Sequence, residues 1–224
     1  PSKADKQSTK IIKKAQKFLV KADQYYASGK YDKALKTLAK YLAVAKGNRA
    51  FLPAYYTRDA RYNLARGVLT NFVSNLDNAL QASMAVYGEN NPGYANTLAE
   101  VAEIYNEYGY YRLSRQYASK ALDIISQSEQ PDPNIQIKSI LTLAEALIGQ
   151  GFANEALKLL QKHESFIASR AVEKETVASE GKIQTVRVAA EELPNRFNSY
   201  ARLHLLRVAA YGKKGDIGNQ WLHP

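Results

Sequence analysis

The side chains that most often carry catalysis or bind metals are sparse and scattered in this sequence. The three histidines, His163, His204 and His223, share no spacing typical of metal ligands. Cysteine is absent, which excludes disulfides and thiolate metal sites. The helical carboxylates Glu100, Glu103, Glu107, Glu145 and Glu155 are spread along the chain, and nothing marks two of them as a paired acid and base. We therefore expect neither catalysis nor a bound metal or cofactor.

Sequence motifs for nucleotide and metal binding are also missing. The chain has no Gly-x-x-x-x-Gly-Lys phosphate loop, no Gly-x-Gly-x-x-Gly fingerprint, no His-Glu-x-x-His pair and no calcium-loop pattern. No run of about 18 apolar residues predicts a transmembrane helix. We expect a soluble protein, with the cytoplasm favoured over other compartments. Because the sequence begins at Pro1 without methionine and stops shortly after Trp221, we also expect it to be a piece of a longer protein.

The positive charge is concentrated at the start of the chain. All of the formal net charge of +10 lies within residues 1–50, and the remainder is neutral overall. Five lysines form a basic patch on a segment whose opposite face is apolar: Lys10, Lys13, Lys14, Lys17 and Lys21. This patch is interpreted either as a solvated face of a terminal element or as a docking surface for an acidic protein, an anionic membrane surface or nucleic acid.

One stretch, Tyr87 to Ile124, reads as a complete helical hairpin. Asn91 and Pro92 form an N-cap and first-turn pair, since proline's missing N–H costs nothing at the first helical position. Gly109 is typical of a helix C-terminus, and a second amphipathic helix follows it. Neither helix can bury its apolar face alone, so the hairpin needs neighbours.

Glycines and prolines recur with the length of this hairpin. Turn glycines Gly29, Gly67, Gly109 and Gly151 are spaced by 38, 42 and 42 residues, and the prolines that begin helices, Pro53, Pro92 and Pro133, by 39 and 41. This spacing predicts repeats at about 11–46, 50–87, 92–127, 133–170 and 194–224.

The hairpin resembles the tetratricopeptide repeat (TPR), in its longer kinesin-light-chain-like form of about 42 residues. The matching residues are Leu98, Val101, Ala102 and Tyr105 on the first helix, Gly109 and Tyr111 at the turn, and Ala118, Ala121 and Leu122 on the second. The resemblance implies an all-α, right-handed superhelical solenoid of about five TPR-like helical hairpins, formed by residues 1–224 as a single domain.

The period breaks before the last repeat, where residues 171–192 form an insert. The sequence ETVASEGKIQTVRV within it predicts a β-hairpin turning at Glu180-Gly181. The spacing of Ile183, Val186, Ala190 and Leu193 is equally typical of a helical stripe. Both interpretations stay open, and the insert is either functional or a solvated connection.

By this resemblance, the first helices of the repeats line a concave groove that binds a partner peptide or domain. The implied partner-binding positions are Asp23, Tyr26, Arg58, Arg61, Asn96, Glu103, Asn106, Lys138, Thr142 and Glu145. They lack the family's carboxylate-clamp arrangement, which disfavours binding of chaperone tails. The partner would be another protein or other domains of the same polypeptide.

Two alternatives to this non-catalytic scaffold remain. The basic patch could bind an anionic partner, although nucleic acid is less favoured, because most of the 16 tyrosines fall at repeat positions that pack between helices. The chain could instead regulate an enzyme domain elsewhere in a longer polypeptide.

Overall fold

The computed structural model describes residues 3–45, 47–171, 176–179, 182–185 and 193–214, and most of these residues are helical. The helices are α1 (Lys3–Ala27), α2 (Tyr31–Ala45), α3 (Leu52–Ala65), α4 (Phe72–Tyr87), α5 (Pro92–Glu107), α6 (Tyr111–Ser126), α7 (Pro133–Gly149), α8 (Ala153–Ala171) and α9 (Leu193–Lys214). A short 3₁₀ turn, Arg49–Phe51, precedes α3.

Consecutive helices form hairpins that share one turn geometry. In the hairpins α1–α2, α3–α4, α5–α6 and α7–α8, the turn glycine has a positive φ of 71° to 86°. The amide after each glycine donates to the carbonyl five residues earlier: Lys30 to Tyr25 at 2.8 Å, Val68 to Asn63 at 2.9 Å, Tyr110 to Tyr105 at 2.9 Å and Phe152 to Leu147 at 2.8 Å. This is the Schellman pattern, which glycine adopts without steric cost. We call α1, α3, α5, α7 and α9 the first helices.

The residues predicted to begin helices do so. The Asn91 side chain accepts a hydrogen bond from the Gly93 amide at 2.8 Å at the start of α5. Asp132 caps α7 by accepting from the amides of Asn134 at 2.8 Å and Ile135 at 3.5 Å. Both prolines that follow these caps occupy the first helical position, where no amide is needed.

The chain divides into two compact units, Pro1–Val101 and Ala102–Pro224. In the first unit, the apolar face predicted for α1 is buried at Ala15 and Ala22, and it packs with Leu38 and Tyr41 of α2. The Tyr41 hydroxyl donates to the Phe51 carbonyl at 3.0 Å. The core of this unit therefore combines apolar packing with a satisfied buried hydroxyl.

The core of the second unit lies between α7, α8 and α9. It contains Ile140 and Leu141 of α7, Leu160 of α8, and Leu203 and Leu206 of α9. These side chains come from three helices that form one core together, and α7, which has buried residues on most of its sides, lies at its centre.

Two short strands lie between α8 and α9. Strands β1 (Thr176–Ser179) and β2 (Lys182–Thr185) pair antiparallel, with Thr176 opposite Thr185 and Ser179 opposite Lys182. This is the β-hairpin alternative for the insert, and Ile183 lies in β2. The predicted turn residues Glu180 and Gly181, the rest of the insert, and the Gly215 and Ile217 of the predicted fifth repeat lie outside the described residues.

Among the helices described, none has a stretch long and apolar enough to cross a lipid bilayer.

Candidate partner-binding surface

In the first unit, polar side chains from three first helices meet around Arg58 of α3. The Arg58 Nε lies 3.1 Å from Oδ1 of Asp23 on α1, and its Nη2 lies 3.1 Å from Oδ2 of the same carboxylate. Its Nη1 is 3.6 Å from Oε2 of Glu100 on α5. We call these three residues the first polar cluster.

The guanidinium of the first polar cluster is half-buried yet fully ionised. Burial lowers the pKa of Arg58, but the charges of Glu100 and Asp23 more than offset this and hold its pKa above its ordinary value. Glu100 also accepts hydrogen bonds from the Thr57 hydroxyl and the Asn96 amide, both at 3.2 Å. Since each charged group has several partners, the cluster is a fixed polar surface.

Two tyrosines extend the first polar cluster along α1 and α3. The Tyr26 ring stacks on the Tyr62 ring, with centroids 5.0 Å apart and an interplanar angle of 23°. The Tyr62 hydroxyl donates to Oδ1 of Asp23. Burial, together with the Asp23 charge, raises the pKa of Tyr62 above its ordinary value, so this hydroxyl keeps its proton. Arg61 is half-buried on the same helix.

In the second unit, Arg202 of α9 bridges two carboxylates from other first helices. Its Nη1 lies 3.1 Å from Oε1 of Glu103 on α5, and its Nη2 lies 2.6 Å from Oε2 of Glu145 on α7. These side chains keep between 22% and 40% of their area exposed, so the group remains open to solvent. We call it the second polar cluster.

Two predicted partner-binding residues lie beneath the surface. Thr142 is fully buried, and Asn106 is 5% exposed. The Asn106 amide donates to the Thr142 carbonyl at 2.9 Å and lies 3.4 Å from Oε2 of Glu145. The Asn106 side chain therefore joins α5 to α7 through the Thr142 backbone carbonyl and the Glu145 carboxylate. Lys138 is half-buried on α7.

Comparisons with known proteins bear on the fold. No protein-family model matches the chain, and no curated protein matches it. Solved structures do match: nearly identical TPR-like repeats of a Podosopora anserina protein assigned as a kinesin light chain have a TM-score of 0.61 at 18% identity, covering 92% of this chain and 90% of that one. A glutamine-to-methionine variant of the same repeats has a TM-score of 0.59 at 20% identity, covering 92% and 89%.

The fold is that of TPR-like repeats. The resemblance that the sequence predicted is confirmed at the level of fold, and so is the all-α repeat architecture.

Within the TPR-like fold, the basic patch lies on the solvent side of α1. Lys10, Lys13, Lys14, Lys17 and Lys21 are all exposed. The Lys21 ammonium is 5.8 Å from the centre of the Tyr25 ring. The nearby carboxylate on the same helix, Asp23, is held by Arg58, so it does not neutralise this patch.

Neither of the two histidines that the structure describes, His163 and His204, lies in a group of metal-ligating side chains. His163 is half-buried on α8, where burial first and the charge of Lys162 second lower its pKa. Across the residues that the structure describes, no three His, Asp or Glu side chains are grouped as metal ligands. His223 lies outside those residues.

Sequence reasoning did not select Glu100 or Arg202 as surface residues, although a signal was present for both. Glu100 precedes Gly109 by nine residues, the distance that separates Arg58 from Gly67. Arg202 precedes Gly215 by 13 residues, as Asn96 precedes Gly109 and Lys138 precedes Gly151. Counting back from each turn glycine would have identified both positions.

Proposed function

We propose that this chain is a non-catalytic scaffold for protein–protein contact, which binds a partner peptide or domain on the polar surfaces of its first helices. The observation that carries the proposal is the meeting of charged side chains from successive first helices. Asp23, Arg58 and Glu100 do so in the first unit, and Glu103, Glu145 and Arg202 in the second. The TPR-like fold supports it, because stacked repeats expose extended surfaces that suit recognition.

The binding mechanism is passive. Arg58 and Arg202 are each held by two carboxylates, so their side chains lose little further freedom when a partner arrives. Asp23 and Glu145 keep 45% and 40% of their side-chain area exposed. Their free lone pairs can accept hydrogen bonds from the backbone or from basic side chains of a partner. The proposed partner-binding surface is the predicted set without the buried Asn106 and Thr142. It consists of Asp23, Tyr26, Arg58, Arg61, Asn96, Glu103, Lys138 and Glu145.

Panning a displayed library of random peptides on residues 1–224 tests this function. We expect enrichment of peptides with a shared motif, whose affinity falls by about tenfold or more in Asp23→Asn or Glu145→Gln, because a hydrogen bond to a charged group is lost. The matched control is Asp123→Asn, which changes an exposed aspartate on the second helix α6. Circular dichroism verifies that each variant folds. Failure to enrich any motif, or equal binding by all variants, would refute the proposal.

A second candidate function is the binding of an anionic partner through the basic patch. It is favoured by the exposure of all five lysines on one helix and by the neutrality of the rest of the chain. Binding of this kind depends on counterion release and therefore weakens steeply with salt.

Duplex DNA of arbitrary sequence serves as a polyanion probe for the basic patch. The logarithm of its binding constant should fall linearly with the logarithm of salt concentration, and Lys13→Ala or Lys17→Ala should each reduce the slope by about 1. Lys158→Ala, at an exposed lysine of α8, is the matched control. The second function is excluded if the slope of binding constant against salt concentration is near zero. It is also excluded if Lys158→Ala changes that slope as much as Lys13→Ala or Lys17→Ala does.

A further inference from the structure

The solvent side of α1 carries apolar side chains as well as the basic patch. Ile12 and Val20 are 58% and 46% exposed, and Gln16 between them is exposed as well. The steps of four residues place these three on one stripe of the helix, and the two apolar side chains are about 12 Å apart along its axis. We call Ile12, Gln16 and Val20 the α1 stripe.

The α1 stripe and the basic patch lie side by side. Lys13, Lys17 and Lys21 each follow a member of the stripe by one residue, so they form the next row around the helix. The face of α1 that packs in the core of the first unit is a different one, which contains the buried Ala15 and Ala22. A partner on the solvent side of α1 therefore meets ammonium and aliphatic groups together.

The cations of this region are lysines, although the rest of the chain prefers arginine. Residues 1–48 contain 12 lysines and no arginine, whereas 10 of the 18 cationic residues after position 50 are arginines. Arginine is the usual cation where carboxylates, phosphates or nucleic acids are bound through bidentate contacts, and lysine is depleted in protein–protein interfaces. The composition of the patch therefore favours a partner with a diffuse negative field over one that is read by specific contacts.

A second copy of this chain suits this side of α1 poorly. Among the side chains that the structure describes, none of the five lysines of the basic patch forms an ion pair. Two such patches in contact would bring like charges together without carboxylates between them, which opposes association. The partner must supply the negative charge itself.

We propose that this side of α1 binds the surface of an anionic lipid bilayer. The ammonium groups of the basic patch lie among the lipid headgroups, and Ile12 and Val20 insert between them toward the acyl chains. A bilayer supplies the two features that the surface needs, a negative surface potential and an apolar layer within about 5–10 Å of the headgroups. Duplex nucleic acid supplies only the first of these. The inference rests on the second candidate function and names its partner.

Co-sedimentation of residues 1–224 with extruded vesicles tests this partner. We expect binding to vesicles of phosphatidylcholine with phosphatidylserine and none to phosphatidylcholine alone. The partition constant should fall as salt rises, because salt screens the surface potential of the lipid. Lys13→Ala and Lys17→Ala should each lower it by about fivefold, which is the contribution of one lysine near an anionic membrane surface.

Replacement of the apolar side chains distinguishes a bilayer from other anionic partners. The double variant Ile12→Asn, Val20→Asn keeps every lysine but removes the aliphatic groups, so vesicle binding should fall by about tenfold. Its affinity for duplex DNA should not change, because the charge is the same. The matched control is Leu69→Asn, since Leu69 is 70% exposed at the α3–α4 turn and is not part of α1; it should leave both affinities unchanged.

Circular dichroism verifies that the variants fold, which is expected because each replaced side chain is exposed. Vesicle binding that requires phosphatidylserine, and that the double variant weakens while Leu69→Asn does not, supports the inference. Binding of DNA without binding of the vesicles overturns it but leaves the second candidate function standing. Vesicle binding that the double variant does not weaken overturns it as well, because charge alone then accounts for the contact. If neither DNA nor vesicles bind, the second candidate function and the inference fail together.

Discussion

Replacement of Arg58 by methionine tests whether the first polar cluster supports the fold. The variant keeps the aliphatic bulk but removes the guanidinium that lies 3.6 Å from the Glu100 carboxylate, whose side chain is 17% exposed. Removing one partner of a buried ion pair costs about 3–5 kcal/mol. Asp23 is 45% exposed and is screened by water, and Glu100 keeps its bonds from Thr57 and Asn96. We therefore expect a lower cost, about 2–3 kcal/mol.

Urea unfolding followed by far-ultraviolet circular dichroism measures this cost. With a slope of about 2–3 kcal/mol per molar urea, the midpoint for Arg58→Met should fall by about 1 M. Arg66→Met is the matched control, because Arg66 pairs with Asp32 at 3.0 Å where the two side chains are 39% and 75% exposed. An exposed pair of this kind contributes at most about 1 kcal/mol, so the control should shift the midpoint far less.

A second substitution separates lost charge pairing from lost packing. Glu100→Gln added to Arg58→Met removes the negative charge that Arg58 had balanced while keeping an acceptor for Thr57, so the double variant should recover part of the lost stability. The reasoning is refuted if Arg58→Met unfolds at the same urea concentration as Arg66→Met, or if the double variant is less stable than Arg58→Met.

Three further predictions concern local features of the helices. Gly149→Ala should lower the free energy of unfolding by about 1–2 kcal/mol in thermal unfolding, because the new Cβ would lie 2.5 Å from ring carbons of Tyr111 and this overpacking outweighs the gain in helix propensity. Adding Tyr111→Leu should restore the lost stability. Asp132→Ala should cost about 1 kcal/mol and speed hydrogen exchange at the Asn134 amide, because the cap of α7 is lost. Burial raises the pKa of Tyr41 from 10.0 to about 12. The stability that the protonated hydroxyl contributes is therefore complete below pH 10 and is lost as the pH rises toward 12. Between pH 10 and 12, the urea midpoint of Tyr41→Phe should fall less than that of the natural sequence.

The helical hairpins were predictable because their signals are local. The turn at Gly109 needs one residue with positive φ and one bond from Tyr110 to Tyr105, both set within six residues. The cap of α7 likewise depends only on Asp132 and the two amides that follow it. Such features can be predicted directly from the sequence. The choice between hairpin and helix for the insert could not, because its Thr and Val content favours strands while Ile183, Val186, Ala190 and Leu193 have helical spacing.

The candidate surface was only partly predictable, because its pairing depends on how separate helices stack. Asp23 and Arg58 were selected singly, yet their bidentate contact joins residues 35 apart. Thr142 was predicted to face the groove from its position in the repeat, but its side chain is fully buried in α7. Arg202 was missed because the insert breaks the repeat period ahead of α9, so a count forward from Gly151 does not reach it and only a count back from Gly215 does.

The two candidate surfaces differ in whether their charges are already paired, and this difference predicts how each partner responds to salt. A partner on either polar cluster meets one guanidinium paired with two carboxylates, which leaves a formal charge of only −1. Its affinity therefore rests mainly on hydrogen bonds and shape and varies little with ionic strength. A partner on the basic patch of α1 meets five exposed ammonium groups in the most basic part of the chain. Its affinity must fall steeply as salt screens them and as counterion release weakens. A salt titration with a given partner therefore identifies its surface. A steep dependence that Lys17→Ala reduces assigns the partner to the basic patch, and a shallow dependence that Asp23→Asn leaves shallow while lowering the affinity assigns it to the polar clusters.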